Sequence, residues 1–255
     1  VEGADHFERR ADVYAAARPP YPPELWTAVR ATGLTGPGRR ALDLGAGSGE
    51  ATGPLLATGM DVVAVEPGPR LAARLADSYP TAEVVVARAE DLELTASTFD
   101  LVVAATSIHW LDLEIVLPQV ARAITREGAL LVWRNVFGDP EATVTPFRRE
   151  VERIVAHRRN DSRRSAEDVE ATSRALSRSG LFAVERVHTF RWSIRLDARQ
   201  VGALFGTFSD WTPAEVDEVA AIVDRLGGEV VEYYSSWLIE ARPTAGGPPP
   251  RAPRP

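Results

Sequence analysis

Short apolar runs alternate with helical stretches along the first half of the chain. Residues 41–44, 61–65, 83–87, 99–104 and 129–134 each read as a buried strand. Between them, helical periodicity predicts helices from the glycines at 45–49 to about residue 58, over 69–77 and over 113–124. Continuous apolar strands alternating with helices argue for a parallel sheet covered on both faces. Upstream, a polar stretch interrupted by Phe7, Val13 and Tyr14 predicts a short amphipathic helix over 4–17. The run Pro19-Pro20-Tyr21-Pro22-Pro23 stops it, because proline removes donors and pushes the residue before it toward extended geometry. A second helix is predicted over 24–32.

The alternation breaks after Asn135. Residues 146–159 and 166–179 read as helices rich in Arg and Glu and are expected to form a cap outside the sheet. Two late strands, 184–194 and 230–241, are separated by helices over 198–205 and 213–226. The Pro/Gly/Arg-rich stretch 243–255 is expected to be disordered. This gives one domain over 1–242, with lid helices to 35, a core over 36–135, the cap insertion over 136–180 and the late strands and helices over 181–242.

The segment Leu42-Asp43-Leu44-Gly45-Ala46-Gly47-Ser48-Gly49 follows a strand and opens a helix, the context of a nucleotide-type loop. Its spacing is G-x-G-x-G, not the G-x-G-x-x-G that seats a dinucleotide pyrophosphate on a helix N-terminus. Asp43 stands where it can face a ligand's ammonium group, and there it would repel a phosphate. Glu66 ends the second strand about twenty residues on, where an acidic side chain binds both ribose hydroxyls. A tight turn and a solvated strand-end carboxylate account for either feature alone; the pair points to a nucleoside.

These residues resemble the class I S-adenosylmethionine (SAM)-dependent methyltransferases over about residues 4–135, most closely over 40–112. The glycine segment is similar to the family's first motif. Val63-Ala64-Val65-Glu66-Pro67 is similar to its ribose-binding strand end, and Ala87-Arg88-Ala89-Glu90-Asp91-Leu92 to its adenine-framing segment. Arg88 stands where the family often has Asp. Ser107-Ile108-His109-Trp110-Leu111-Asp112, together with Phe7, Tyr14, Arg18-Pro19 and Tyr21-Pro22, resembles the trans-aconitate methyltransferase-like group. The resemblance implies a Rossmann-like seven-stranded sheet with one antiparallel strand, SAM as methyl donor and S-adenosylhomocysteine as product. It implies a cofactor site of Tyr14, Arg18, Asp43, Gly45, Ala46, Gly47, Glu66, Pro67, Ala89, Glu90, Thr106 and His109. Arg18 would pair with the SAM carboxylate in a bidentate fashion.

His109, just past the fourth strand, reads as a general base, as a group orienting SAM, or as a residue packed beside Trp110. Tyr21, Trp110, Trp133, Arg134, Phe205, Phe208 and Trp211 are the candidate acceptor wall, aromatic with a few polar groups. Core packing explains each aromatic equally, and an internal ion pair explains Arg134. The acceptor expected is a small metabolite or natural-product scaffold of secondary metabolism, attacked at O, N or C. An indole carbon and a carboxylate are among the options. Arg18-Pro19-Pro20-Tyr21 is similar to an element of amino-methylating DNA methyltransferases but lacks its acidic first residue.

Charge and composition narrow the alternatives. A net charge of −7 gains nothing from phosphate counterion release, so nucleic acid is not the expected partner. No cysteine is present, which removes disulfides, thiolate metal sites and cysteine nucleophiles. The four histidines show no metal-ligand spacing, and no metal is expected. No apolar run reaches membrane length, and a cytoplasmic protein is the default reading. Monomer and homodimer stay open. The competing readings are a non-catalytic SAM- or metabolite-binding regulator and a dinucleotide-dependent oxidoreductase.

Overall fold

The computed structural model describes residues 19–156, 168–208 and 210–244. Seven strands form one sheet: β1 (Arg40–Leu44), β2 (Asp61–Val65), β3 (Glu83–Val85), β4 (Phe99–Ala105), β5 (Ile124–Phe137), β6 (Phe182–Asp197) and β7 (Glu229–Pro243). Their order is β3-β2-β1-β4-β5-β7-β6. The first five are parallel, and β7 runs antiparallel between β5 and β6. This is the Rossmann-like sheet, with its single reversed strand, that the resemblance implies.

Among the described residues the α-helices are α1 (Pro23–Ala31), α2 (Thr52–Ala57), α3 (Pro69–Ser78), α4 (Leu113–Ala123), α5 (Pro146–Val155), α6 (Val169–Arg178), α7 (Ala198–Phe205) and α8 (Pro213–Arg225). Strand alternation divides the core. Leu42, Leu44, Val102 and Val132 pack with α4 and with Leu176 of α6 on one face. Ala41, Leu101, Val103 and Trp133 pack with Leu25 and Val29 of α1 and Leu55 of α2 on the other.

The two arginine-rich helices, expected as one cap outside the sheet, part company. α6 lies against β6, β7 and α4 as a layer of the sheet's own core. α5 instead joins α7 and α8 around Phe147, Val151, Phe205 and Val219, a separate apolar cluster beside the ends of β6 and β7. Each helix follows its buried stripe: Leu176 in α6 meets the sheet, while Phe147, Val151 and Ile154 of α5 need another helical surface. The strands on this side run longer than the expected 129–134, 184–194 and 230–241: β6 and β7 pair from Phe182↔Pro243 to Asp197↔Glu229 with one register shift between Val184 and Arg186, and β7 pairs β5 out to Phe137↔Tyr234. Of the stretch 243–255 expected to be disordered, Pro243 ends β7 and Thr244 N donates to the Leu181 carbonyl at 2.9 Å, held by strand pairing that composition does not show; residues from 245 onward, like the expected first helix over 4–17, lie outside the described residues.

Candidate active site

The carboxyl ends of β1 and β2 carry the first group of candidates. Asp43 shares the α2-facing side of β1 with Ala41 and has no solvent exposure. Its Oδ2 accepts a hydrogen bond from Thr52 Oγ1 at 2.7 Å, and its Oδ1 meets no donor. Burial drives its pKa up to about 7; the Thr52 bond opposes this, and the charges of Glu50 and Glu66 add to it. Ser48 Oγ donates to Glu50 Oε1. Three carboxylates thus surround the glycine loop, an environment for a cation.

The loop is fixed by its main chain. The N–H groups of Gly45 and Ala46 both donate to the Val65 carbonyl at 2.9 Å, folding the end of β1 over the end of β2. Gly45 has φ +69°, and a Cβ there would lie 2.7 Å from Ser107 Cβ, so both conformation and close approach require glycine. Ser107 in turn donates to the Leu44 carbonyl. Glu66, only 7% exposed, accepts from Gly47 N at 2.9 Å and from Gly68 N at 2.8 Å. It bridges the loops after β1 and β2, with Pro67 exposed beside it. An ionised carboxylate has about four acceptor sites, so two backbone bonds leave capacity for hydroxyls. Asp43 and Glu66 therefore sit at one sheet edge, on adjacent strands.

Ala89 and Glu90 stand on a single 3-10 turn, Ala89–Asp91, with Ala89 buried. Glu90 accepts from Asp112 N at 2.9 Å and from Arg88 Nε at 3.4 Å. Burial works against its ionisation, but these donors outweigh it and hold the carboxyl below its ordinary range. Both oxygens of the expected adenine reader are thus engaged within the protein. Arg88, at the position where the family often has Asp, supplies one of the two donors.

At the ends of β4 and β5 a second group gathers. Thr106 adopts φ +58°, and its Oγ1 shares a hydrogen bond with Tyr21 OH at 2.9 Å. His109 lies on the 3-10 turn Ile108–Trp110, its ring 4.7 Å from that of the exposed Trp110. Arg134 Nη1 lies 3.0 Å from His109 Nδ1. Arginine is donor-only, so Nδ1 accepts and the ring proton resides on Nε2. Arg134 thus holds Nδ1 while the ring packs beside Trp110, a geometry that agrees with both the orienting and the packing roles weighed for His109.

The acceptor wall expected from the sequence is redistributed. Trp133 is fully buried and packs edge-on against Trp26 and Tyr21 beneath α1. Phe205 and Phe208 are buried in the α5–α7–α8 cluster, with the Trp211 ring 4.4 Å from that of Phe205. Those rings are core. Tyr14 and Arg18 lie outside the described residues.

Asn135, near the end of β5, and residues the sequence did not single out hold this end together. Asn135 Nδ2 donates to the carbonyls of Pro19 and Pro20 at 3.2 and 3.3 Å. Its Oδ1 accepts from Ser236 Oγ at 2.7 Å, which accepts from Trp192 Nε1 at 2.8 Å. With Tyr21 on Thr106, the proline segment is thus anchored at two points of the sheet edge. Only Asn135 carried a signal, as a polar residue ending an apolar strand. Thr52 and Glu50 follow the glycine loop closely and could have been found by asking what satisfies a buried Asp43.

Residues 42–132 match the family model described as a methyltransferase domain. An uncharacterized methyltransferase of Mycobacterium tuberculosis is 38% identical over 132 residues, 51% of this chain and 52% of that protein. The chain thus spans about half the length of the first curated relatives it matches. An uncharacterized methyltransferase-like protein of Schizosaccharomyces pombe is 26% identical over 84% of the chain and 85% of its own length. A solved structure from Anaeromyxobacter dehalogenans, provisionally named a type II methyltransferase, superposes with a TM-score of 0.63. It is 24% identical and covers 89% of this chain and 97% of that one.

Proposed function

We propose that the chain is a class I SAM-dependent methyltransferase that binds SAM across the ends of β1 and β2 and transfers its methyl group to a small acceptor. The observation that carries this reading is Asp43: a wholly buried carboxylate at the end of β1 whose Oδ1 has no partner in the protein. An unsatisfied buried acceptor costs about 1–3 kcal/mol, and an ammonium donor would remove that cost. SAM brings such an amine, two ribose hydroxyls within the chemistry of Glu66, and a sulfonium charge that suits the carboxylates around the loop. The same carboxylates oppose a dinucleotide pyrophosphate.

SAM supplies a methyl carbon already activated by the sulfonium. The residues of this chain then bind, orient and exclude water, and alignment alone can account for much of the acceleration. The nucleophile is an O, N or C atom of a small metabolite or natural product. His109, with Nδ1 committed to Arg134, serves in positioning. Calorimetric titration with SAM, S-adenosylhomocysteine and NADH tests the cofactor: SAM and S-adenosylhomocysteine bind and NADH does not. Tight NADH binding without SAM binding would reverse the assignment. A radiolabelled-SAM screen over a metabolite library, with mass spectrometry of products, tests the transfer; binding without transfer to any acceptor would favour a regulator.

A further inference from the structure

On β5 the side chains of Trp133, Asn135 and Phe137 share a face, by strand periodicity. Trp133 packs under α1, Asn135 holds the Pro19 and Pro20 carbonyls, and Phe137 lies one step further out. β7 runs alongside with Ser236, Tyr234 and Glu232 on its matching face: Ser236 bonds Asn135, Tyr234 packs edge-on to Phe137, and Glu232 follows. Beyond the anchored proline segment, this double row opens on a cavity of about 400 Å³ lined by Phe137, Asp139, Thr145, Arg148, Glu152 and Glu232.

Its polar groups are specific. Glu232 is 2% exposed. Its Oε1 accepts from Arg148 Nη2, while its Oε2 has no partner. Arg148 lies with its guanidinium carbon 4.0 Å from the Phe137 ring centre. It fits there because Gly138 has no Cβ, which would lie 2.5 Å from Arg148 Nη2. Asp139 lies 3.7 Å from Arg191, whereas Glu152 is exposed at the rim. Of the three lining carboxylates, Glu232 pairs with Arg148 and Asp139 lies beside Arg191, which leaves Glu152 to make the balance negative. Burial raises the pKa of Glu232; Arg148 and the Tyr233 main chain pull it down, and Glu152 adds a little to the rise. A cation placed here would relieve that strain.

From this we infer that the cavity at the end of β5 receives the acceptor, and that the acceptor carries an amine or another cationic hydrogen-bond donor beside an apolar portion. The inference rests on the methyltransferase reading. It places the acceptor's recognition at Glu232 and Glu152, not at the aromatic wall expected from the sequence. It also selects a charge opposite to that of the carboxylate acceptor among the options read from the sequence.

The test uses the whole chain and two probes of nearly equal shape, 2-phenylethylamine and 3-phenylpropionate, titrated calorimetrically with and without S-adenosylhomocysteine. The amine is expected to bind and the carboxylate not. Glu232→Gln should weaken amine binding by about tenfold or more, the loss of a charged hydrogen bond. Glu152→Gln, at an exposed site where folding is safe, should weaken it about threefold. Carboxylate binding as tight as amine binding overturns the inference. So does unchanged amine affinity in the Glu152→Gln protein and in any folded Glu232→Gln protein, or no amine binding by a chain that binds S-adenosylhomocysteine. A chain that binds neither probe nor S-adenosylhomocysteine overturns the methyltransferase reading as well.

Discussion

At the β1–β2 end of the sheet, the main chain does most of the positioning. Gly45 and Ala46 donate to Val65, and Glu66 takes the N–H groups of Gly47 and Gly68, so three consecutive loop residues, Gly68 and two short strand ends suffice. At the β5–β7 end, positioning is by side chains distant in sequence: Arg148 with Glu232, Ser236 with Asn135, Asn135 with Pro19 and Pro20. The first construction is local and cannot vary its chemistry without breaking the loop. The second is assembled from pairs that can be exchanged one at a time while the strands persist. A fixed cofactor and a variable acceptor call for those two kinds of construction.

The comparison breaks most visibly at Arg148. Arg148→Ala would leave Glu232 buried and uncompensated, and breaking such a pair costs about 3–5 kcal/mol. Urea unfolding measures it; the Arg148→Met, Glu232→Leu double variant should recover most of the loss, because an apolar pair needs no compensation. If the single variant loses under about 1 kcal/mol, the pair does not hold the β5–β7 end.

Next in size is the pH response of Asp43. Its folded pKa of about 7 lies above its ordinary value of 3.8, so between these the folded state holds more protons than the unfolded one. Stability then falls as pH rises from about 4 to about 7, by up to about 4 kcal/mol for a shift of about three units. SAM binding should run the opposite way and tighten as pH rises through about 7, since an ammonium favours the ionised carboxylate. Asp43→Asn should flatten both profiles. A wild-type stability curve without that downward slope would show that Asp43 is ionised at the β1 end throughout.

The same contrast explains what could be read from the chain. All seven strands and the helix registers from Pro23 to Arg225 follow periodicity, which is a local property. Asp43, Gly45 and Glu66 could be placed because a loop of fixed spacing dictates what its neighbours must do. The acceptor side resisted for a physical reason. An aromatic residue in a helical stretch, such as Phe205 or Phe208, carries the same pattern whether it walls a ligand or fills a core, and only the packing of α5, α7 and α8 decides. Glu232 offered no signal in an alternating strand, since its burial depends on Arg148, 84 residues away.

Glu66 tests the cofactor end with a smaller change. Glu66→Ala should weaken SAM binding by roughly 1–3 kcal/mol, the loss of charged hydrogen bonds. It also frees the N–H groups of Gly47 and Gly68, so stability should fall with affinity. Glu66→Gln separates these effects: its amide oxygen can keep one backbone bond, while its lost charge still weakens ribose binding. Calorimetry on both variants decides. Unchanged SAM affinity in Glu66→Ala would confine Glu66 to bracing the two loops.

Asn135 carries the smallest effect and links the two ends. Its Nδ2 spans the Pro19 and Pro20 carbonyls, and its Oδ1 is held by Ser236, itself held by Trp192. Asn135→Ala removes bonds worth about 1 kcal/mol each, while Tyr21 on Thr106 still holds the segment. The fold should therefore survive with only a modest fall in stability. If the proline segment must sit on the sheet edge to close the cofactor crevice, the KM for SAM should rise about fivefold, one bond's worth. Asn135→Asp tests direction: a carboxylate can still accept from Ser236 but cannot donate to proline carbonyls, so it should behave like Ala and not like wild type. An Asp variant with wild-type KM would mean that Ser236, not the proline segment, is the partner that matters, and the two ends would then be built independently.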